Sequence, residues 1–148
     1  MKPILALVLS SFLPLTLAVA AQASEPEPPT LVQPGEEVDL SSFLWHKRPI
    51  VVFADSPEDP RFKEQMILLT SEAEALLERD VVVLTDTTPK PASALRKQLR
   101  PRGFMLVLVG KDGGVKLRKP HPWTVRELSR TIDKFQDRLR EVEDRREN

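Results

Sequence analysis

Pro49-Ile50-Val51-Val52-Phe53-Ala54 is a short continuous apolar run rich in β-branched residues. Such a run is typical of a strand that is buried on both faces of a parallel sheet. A second run of this kind spans residues 81–84. Between the two strands, five apolar residues at steps of three and four predict one helix with a single apolar face: Phe62, Met66, Leu69, Ala73 and Leu76. Residues 50–84 are therefore predicted to form a β-α-β unit.

Signals at element boundaries extend this pattern toward the C-terminus. Asp59-Pro60 supplies a capping residue and a proline for the first helical position. After the prolines of residues 87–91, a short helix is predicted to turn Ala94, Leu95 and Leu99 inward and to end at Arg100-Pro101. Phe104 to Val109 is the third predicted strand.

The C-terminal part is predicted to contain a hairpin and a long helix. Lys111-Asp112-Gly113-Gly114 separates two apolar runs, which indicates a turn between antiparallel strands. Thr124 and Glu127 form a capping-box pattern that opens a helix over residues 125–142. The polar tail, residues 144–148, is expected to fray.

This order of elements predicts an α/β, thioredoxin-like fold with a central mixed sheet of about four to five strands and helices on both faces. The domain is predicted to span residues 38–143. Its first part, residues 38–45, fits either a short strand or a helical turn.

The N-terminal residues resemble an export signal. Lys2, an apolar stretch over residues 4–20 and the small-x-small pattern Ala21-Gln22-Ala23 predict a signal peptide over residues 1–23. An uncleaved membrane anchor is the alternative. Residues 24–37 contain several prolines and are predicted to be a flexible linker. Cleavage would make the protein periplasmic or secreted, without a membrane association.

Composition excludes one class of function and disfavours another. The chain has no cysteine, so it cannot carry out thiol redox chemistry. Basic and acidic residues balance at 22 each and there is no tyrosine, which disfavours a nucleic-acid partner because such surfaces need excess positive charge and stacking aromatics.

Three segments resemble a bacterial family of unknown function that has a peroxiredoxin-like domain, shared with some secreted animal matrix and sushi-repeat proteins. They are Trp45-His46-Lys47-Arg48-Pro49, residues 78–83 and residues 110–118, within a region from about Leu40 to Glu143. The resemblance implies a thioredoxin-like fold, export and no established activity. This sequence differs from the family at Lys134-Phe135-Gln136-Asp137-Arg138, where the family has a Met-Pro-Met-Arg run.

The candidate site follows from where ligands bind in open α/β sheets, namely at the carboxyl ends of the strands. The loop from the first core strand into its helix holds the reactive thiol in thioredoxin-like enzymes. Here it offers a ligand or partner surface of Asp55, Ser56, Glu58, Asp59 and Arg61. Simple helix capping by Ser56 and Asp59 is the alternative.

The loop before the third strand is expected to face this surface. We expect Gly103 to permit a close backbone approach and Arg102 to face Asp55, Glu58 or an anionic ligand; an ordinary surface ion pair is the alternative. The two histidines, His46 and His121, show no metal-ligand spacing, and no metal or cofactor is predicted.

Three hypotheses about function follow. The first is an exported, redox-inactive module that binds an envelope protein or a small ligand at these loops. The second is a non-thiol enzyme that acts on an anionic or acyl substrate through Ser56, Asp55, Glu58 or Arg102. The third is a structural cell-envelope protein held through its last helix.

Overall fold

The computed structural model describes residues 30–148, so the predicted signal peptide and residues 24–29 of the predicted linker lie outside the described residues. The strands are β1 (Val32–Pro34), β2 (Arg48–Phe53), β3 (Val81–Asp86), β4 (Met105–Val109) and β5 (Val115–Lys119). The helices are α1 (Pro60–Ser71), α2 (Ala73–Leu77), α3 (Ala94–Leu99), α4 (Val125–Ile132) and α5 (Gln136–Glu147). A 3-10 turn at Leu40–Phe43 fills the segment before β2 that fitted either a strand or a helical turn.

The five strands form one mixed sheet in the order β1-β3-β2-β4-β5. β3 pairs in parallel with both β1 and β2, while β4 runs antiparallel to β2 and β5 antiparallel to β4. In this register Ile50 lies beside Val83, and Val51 lies beside Val107. The predicted α/β fold, with its mixed sheet and its final hairpin, is confirmed.

The sheet is covered on both faces, because alternate residues of the central strands point into two separate cores. Ile50 and Val52 pack with residues of α1, α2 and α4. Val51 and Phe53 pack with the 3-10 turn and α3 on the other face. Each central strand therefore needs apolar residues at successive positions, which explains the continuous apolar run of residues 49–54.

The linker prediction is wrong for the residues next to the domain. β1 lies within the predicted linker of residues 24–37, and the Val83 amide donates a 2.7 Å hydrogen bond to the Leu31 carbonyl. Leu31 is buried. A Cβ on Gly35 would lie 2.8 Å from the Leu95 side chain, so the chain passes too close to α3 for a larger residue. The fold thus begins before residue 38.

Both long predicted helices are interrupted. The first breaks at Glu72, which leaves α1 and α2 packed on the same core. The second breaks over residues 133–135, between α4 and α5. α5 then continues to Glu147, so most of the predicted polar tail is helical. In α3, Leu95 and Leu99 are buried as predicted, but Ala94 is exposed and Arg96 is buried in its place.

The predicted helix starts are confirmed. The Asp59 carboxylate accepts a hydrogen bond from the Arg61 amide, with Pro60 at the first helical position of α1. Thr124 and Glu127 form the complete capping box of α4. These caps satisfy amides that would otherwise lack partners in the first helical turn.

α5 is attached to the sheet by a buried arginine at the start of β2. The Arg48 side chain is 0% exposed, and its guanidinium donates to Asp137 at 2.6 Å, to Glu141 at 2.9 Å and to the Arg79 carbonyl at 2.7 Å. Lys111 adds a 2.6 Å bond to the same Glu141 carboxylate. Charge pairing therefore holds much of α5 in place.

The helical periodicity of residues 125–142 predicts Leu139 on the apolar face and Arg138 on the exposed side with Lys134 and Arg140, and both predictions are wrong. Arg138, expected to be exposed beside Lys134 and Arg140, is buried and makes 3.3–3.6 Å contacts with Glu78 and Asp133. Leu139, expected on the apolar face, is half exposed. The break after Ile132 restarts the helix in a new phase, which turns Arg138 inward.

The pKa of Glu141 makes the stability of this attachment pH-dependent. Burial raises this pKa, but the hydrogen bonds from Arg48 and Lys111 outweigh burial and lower the pKa from 4.5 to about 2. Because the pKa is lower in the folded chain, the stabilisation is present above pH 4.5 and is lost as the pH falls toward 2. The shift corresponds to at most about 3 kcal/mol, reduced by partial solvent exposure of the carboxylate.

We therefore expect Glu141→Gln to be less stable than the unchanged protein above pH 5, with a difference that shrinks as the pH falls to about 2. Urea unfolding over this pH range measures it. Glu143→Gln, at an exposed position of the same helix, is the control and should show a small difference that does not change in this way. A constant difference for Glu141→Gln would contradict the assignment.

Candidate functional site

The predicted loop surface lies at the edge of the sheet where β2 and β3 end. Phe53 and Asp86, the last residues of these strands, are paired neighbours, and β4 begins beside them at Met105. Residues 55–61 and 102–103 thus meet at one edge, as the sequence predicts. Asp55 and Glu58 expose 66% and 77% of their side chains there.

A local set of contacts shapes the loop. The Ser56 hydroxyl accepts a 3.1 Å hydrogen bond from the Glu58 amide, and Glu58 pairs with Lys63. Asp59 forms a 2.8 Å salt bridge with Arg61 in addition to its capping bond. Helix capping, the alternative interpretation, is therefore present for Asp59, whereas Ser56 stabilises the turn that precedes α1.

Arg61 joins the two loops. Its guanidinium lies 5.5 Å from the centre of the Phe104 ring, which is buried at the start of β4. The side-chain hydrogen bond from Arg61, followed by the backbone one, lowers the pKa of Asp59. Asp59 is thus held as a carboxylate that caps and pairs, which does not suit it to act as a general base near neutral pH.

Two expected contacts of the second loop are not formed within residues 30–148, whereas contact of this loop with a ligand stays a prediction. Arg102 is exposed and forms no ion pair with Asp55, Glu58 or any other carboxylate of residues 30–148. A Cβ on Gly103 would meet no atom within 4 Å, so no other described part of the chain approaches this glycine closely. Its φ of +57° instead favours glycine, because the left-handed backbone conformation is less favourable for residues that have a Cβ.

The residue that faces Asp55 is Arg96, and it is part of a buried ion pair that the sequence did not reveal. Arg96 donates to the Asp86 carboxylate at 2.9 Å and to the Ala54 carbonyl at 2.6 Å, and lies 3.9 Å from Asp55. Asp86 is 0% exposed and also accepts from Ser93 and the Thr88 amide. The pair ties α3 and the ends of β2 and β3 to the base of the loop.

The chemistry available at this edge is that of charged recognition. Neither His46 nor His121 forms a hydrogen bond with Ser56, and both are exposed in the described part of the chain. Within residues 30–148, no three Asp, Glu or His side chains come together as a metal site. The same residues contain no helix that is long and apolar enough to cross a bilayer.

A family model and a protein of related sequence match the described domain. The family model described as "Domain of unknown function (DUF4174)" matches residues 39–141, close to the region of resemblance found in the sequence. Coiled-coil domain-containing protein 80 of Danio rerio is 32% identical over 133 residues, which cover 70% of this chain. The chain spans 15% of the length of that relative.

Solved structures of peroxiredoxins share the fold. The reduced 2-Cys peroxiredoxin of Plasmodium vivax superposes with a TM-score of 0.55 at 18% identity, over 70% of this chain and 85% of that one. Prx1a of Plasmodium yoelii, modified at its N-terminus, gives a TM-score of 0.53 at 18% identity, over 70% and 81%. At this identity the likeness establishes a common fold alone.

Proposed function

We propose that this chain, which belongs to the DUF4174 family of domains of unknown function, is an exported, redox-inactive module that binds a protein or a small ligand at the loop surface. The loop surface comprises Asp55, Ser56, Glu58, Asp59, Arg61, Arg102 and Gly103. As the sequence resemblance implies, we further propose that the protein is bacterial and exported, and that its domain is related to one found in some sushi-repeat proteins.

One observation carries this proposal. The loop that follows β2 contains no thiol, yet it is well ordered by contacts, and it presents the exposed carboxylates of Asp55 and Glu58 on a rigid base of Asp86 and Arg96. Pre-ordered, charged and exposed groups favour recognition, because little entropy is lost on binding. The partner that fits these carboxylates carries basic groups.

The two other hypotheses find less support. The carboxyl groups whose pKa is clearly shifted, such as Asp59, Asp133 and Glu141, all have a lowered pKa, whereas a general acid at neutral pH needs a raised one. The helix that would anchor a structural protein, α5, exposes one large apolar residue, Leu139, and not an apolar stripe.

Charge reversal tests the binding surface. Asp55→Lys with Glu58→Lys should abolish capture of a partner from an envelope extract, because the carboxylates would become repulsive to basic groups. The melting temperature should stay within a few degrees, since both side chains are exposed. The matched control is Glu36→Lys with Glu37→Lys, an exposed acidic pair outside the loop surface. If both double variants fold and capture the partner equally well, the loop surface is not the binding site.

The absence of redox activity is a separate expectation. The purified domain should show no disulfide reductase, isomerase or thiol peroxidase activity, because the thiolate is the nucleophile in all three. Ser56→Cys should not restore full activity, since Glu58 and Asp59 nearby disfavour a thiolate. Insulin reduction and peroxide consumption are the measurements, and a rate above that of buffer for the unchanged chain would contradict the proposal.

A further inference from the structure

A cavity of about 430 Å³, here called the amino-end cleft, lies at the end of the sheet opposite the loop surface. Trp45, which precedes β2, forms one wall, and the turn between β4 and β5 forms another. The third wall runs from Lys134 to Arg140 and includes the start of α5. The volume of the amino-end cleft falls in the range of small-molecule sites.

The amino-end cleft has an excess of positive charge. Four cations line it, Lys111, Lys116, Lys134 and Arg140, against the carboxylates of Asp112 and Asp137. Both carboxylates are already paired, Asp112 with Lys116 at 2.8 Å and Asp137 with the buried Arg48. Lys111 is also paired, with Asp80 at 2.8 Å and with Glu141 at 2.6 Å.

The two remaining cations are available for a ligand. Lys134 and Arg140 are exposed and form no ion pair with any carboxylate of residues 30–148. α5 begins beside them without a side-chain cap, and Asp137, the acidic residue of its first turn, is paired with Arg48. The unneutralised charge of the amino-end cleft therefore comes from side chains on one wall.

Aromatic side chains line the same cavity as these cations. Trp45 is 69% exposed. Its backbone is held in place because the Trp45 amide donates a 2.8 Å hydrogen bond to the Lys111 carbonyl. Phe135 forms part of the cleft lining and lies under the Lys116 ammonium, 5.8 Å from the ring centre. An exposed indole next to unpaired cations offers a flat apolar surface and a charged one together.

We propose that the amino-end cleft binds a small organic oxyanion, a phosphate or sulfate ester that carries a flat apolar group. The oxyanion pairs with Lys134 and Arg140, because charge-assisted hydrogen bonds to tetrahedral oxyanions are the strong contacts available there. The flat group packs on the Trp45 indole. This site is separate from the loop surface and does not depend on the function proposed for it.

Calorimetric titration of the full chain with phenyl phosphate and with phenyl sulfate tests the site. Inorganic phosphate and phenol serve as probes of each half of the ligand. We expect at least one ester to bind, at least about tenfold more tightly than either probe, because it uses both surfaces. The two esters show which oxyanion is preferred. Failure of both esters to bind at millimolar concentration would overturn the proposal.

Variants assign the binding to the amino-end cleft. Lys134→Glu with Arg140→Glu should weaken the ester by at least about tenfold, whereas Arg126→Glu with Arg130→Glu, exposed cations of α4 with the same charge change, should not. Trp45→Ala should reduce ester affinity to that of inorganic phosphate. The Asp55→Lys, Glu58→Lys variant should bind the ester normally. An equal loss of ester affinity in the Lys134, Arg140 variant and in the Arg126, Arg130 variant would overturn the proposal. This outcome would not depend on whether the loop surface binds a partner.

Discussion

Arg96→Met should lower the free energy of unfolding by about 3 to 5 kcal/mol, because it leaves the Asp86 carboxylate buried without its cation. Asp86 is 0% exposed, and Ser93 and the Thr88 amide cannot neutralise its charge. The substitution also removes the donor to the Ala54 carbonyl and the stacking of the guanidinium on Phe53. Urea unfolding near neutral pH measures the loss.

A second substitution distinguishes a lost ion pair from a general disturbance of α3. Adding Asp86→Leu to Arg96→Met removes the stranded charge, so the double variant should be more stable than Arg96→Met alone. Lys97→Met, at an exposed position of the same helix, should change stability by no more than about 0.5 kcal/mol. A double variant less stable than Arg96→Met would show that the charge of Asp86 is not the source of the loss.

The strands of this fold could be predicted because burial on both faces leaves a direct mark in the sequence. Val81 to Leu84 are all buried, two toward each core, so the run contains no polar residue. The hairpin was equally readable, because Gly113 adopts a φ of +80° that few residues other than glycine tolerate. These signals are local, and local signals survive in a single sequence.

β1 could not be recognised in the same way. It has three residues and ends in Pro34, which is a pattern typical of linkers as much as of edge strands. Its pairing depends on β3, about fifty residues later, because the bond between the Leu31 carbonyl and the Val83 amide forms only in the folded chain. A short edge strand therefore becomes visible only with its partner.

Helix continuity was overpredicted for a related physical reason. Apolar periodicity reports which side chains face a core, and Leu69 and Leu76 face the same core from either side of the break at Glu72. The spacing is preserved although the helix is not. Periodicity alone therefore cannot distinguish one helix from two that pack side by side on a sheet.

The candidate site was predicted at the level of its loops and not of its ionic partners. The apolar runs of the sequence predict the order of the strands. The strand order in turn places residues 55–61 and 102–103 at one end of the sheet. No feature of the sequence indicated that Arg96 is buried, because charged side chains are rarely buried unless they are paired. Its partner Asp86 sits at a strand end, and a salt bridge between a strand end and a later helix leaves no local signature.

The amino-end cleft illustrates the same point. Two segments that carry the family resemblance, around Trp45 and around Lys111, meet there with the segment in which the sequence departs from the family, around Lys134. They are far apart in the chain, and only the sheet topology brings them together. The sequence comparison marked these segments, whereas the fold shows that they share one surface.

Arg48→Met should lower the free energy of unfolding by about 2 to 4 kcal/mol, the other large effect expected in this chain. Arg48 is buried, and it is the cation that neutralises Asp137, while Glu141 also retains Lys111. Because both carboxylates are partly exposed, solvent relieves some of the cost, which places the loss below that of Arg96→Met. The Arg79 carbonyl also loses its donor.

The location of this loss can be tested together with its size. α5 should lose hydrogen-exchange protection before the sheet does, because Arg48 contributes two of the ion pairs that hold α5 to β2. Arg145→Met, which removes an exposed cation without an ion pair among residues 30–148, is the matched control and should leave both measurements unchanged. Uniform loss of protection over α5 and β2 together would mean that Arg48 supports the whole domain and not the attachment of α5. A loss of stability no greater than that of the control would show that the buried guanidinium contributes little, and would contradict the role assigned to this cluster.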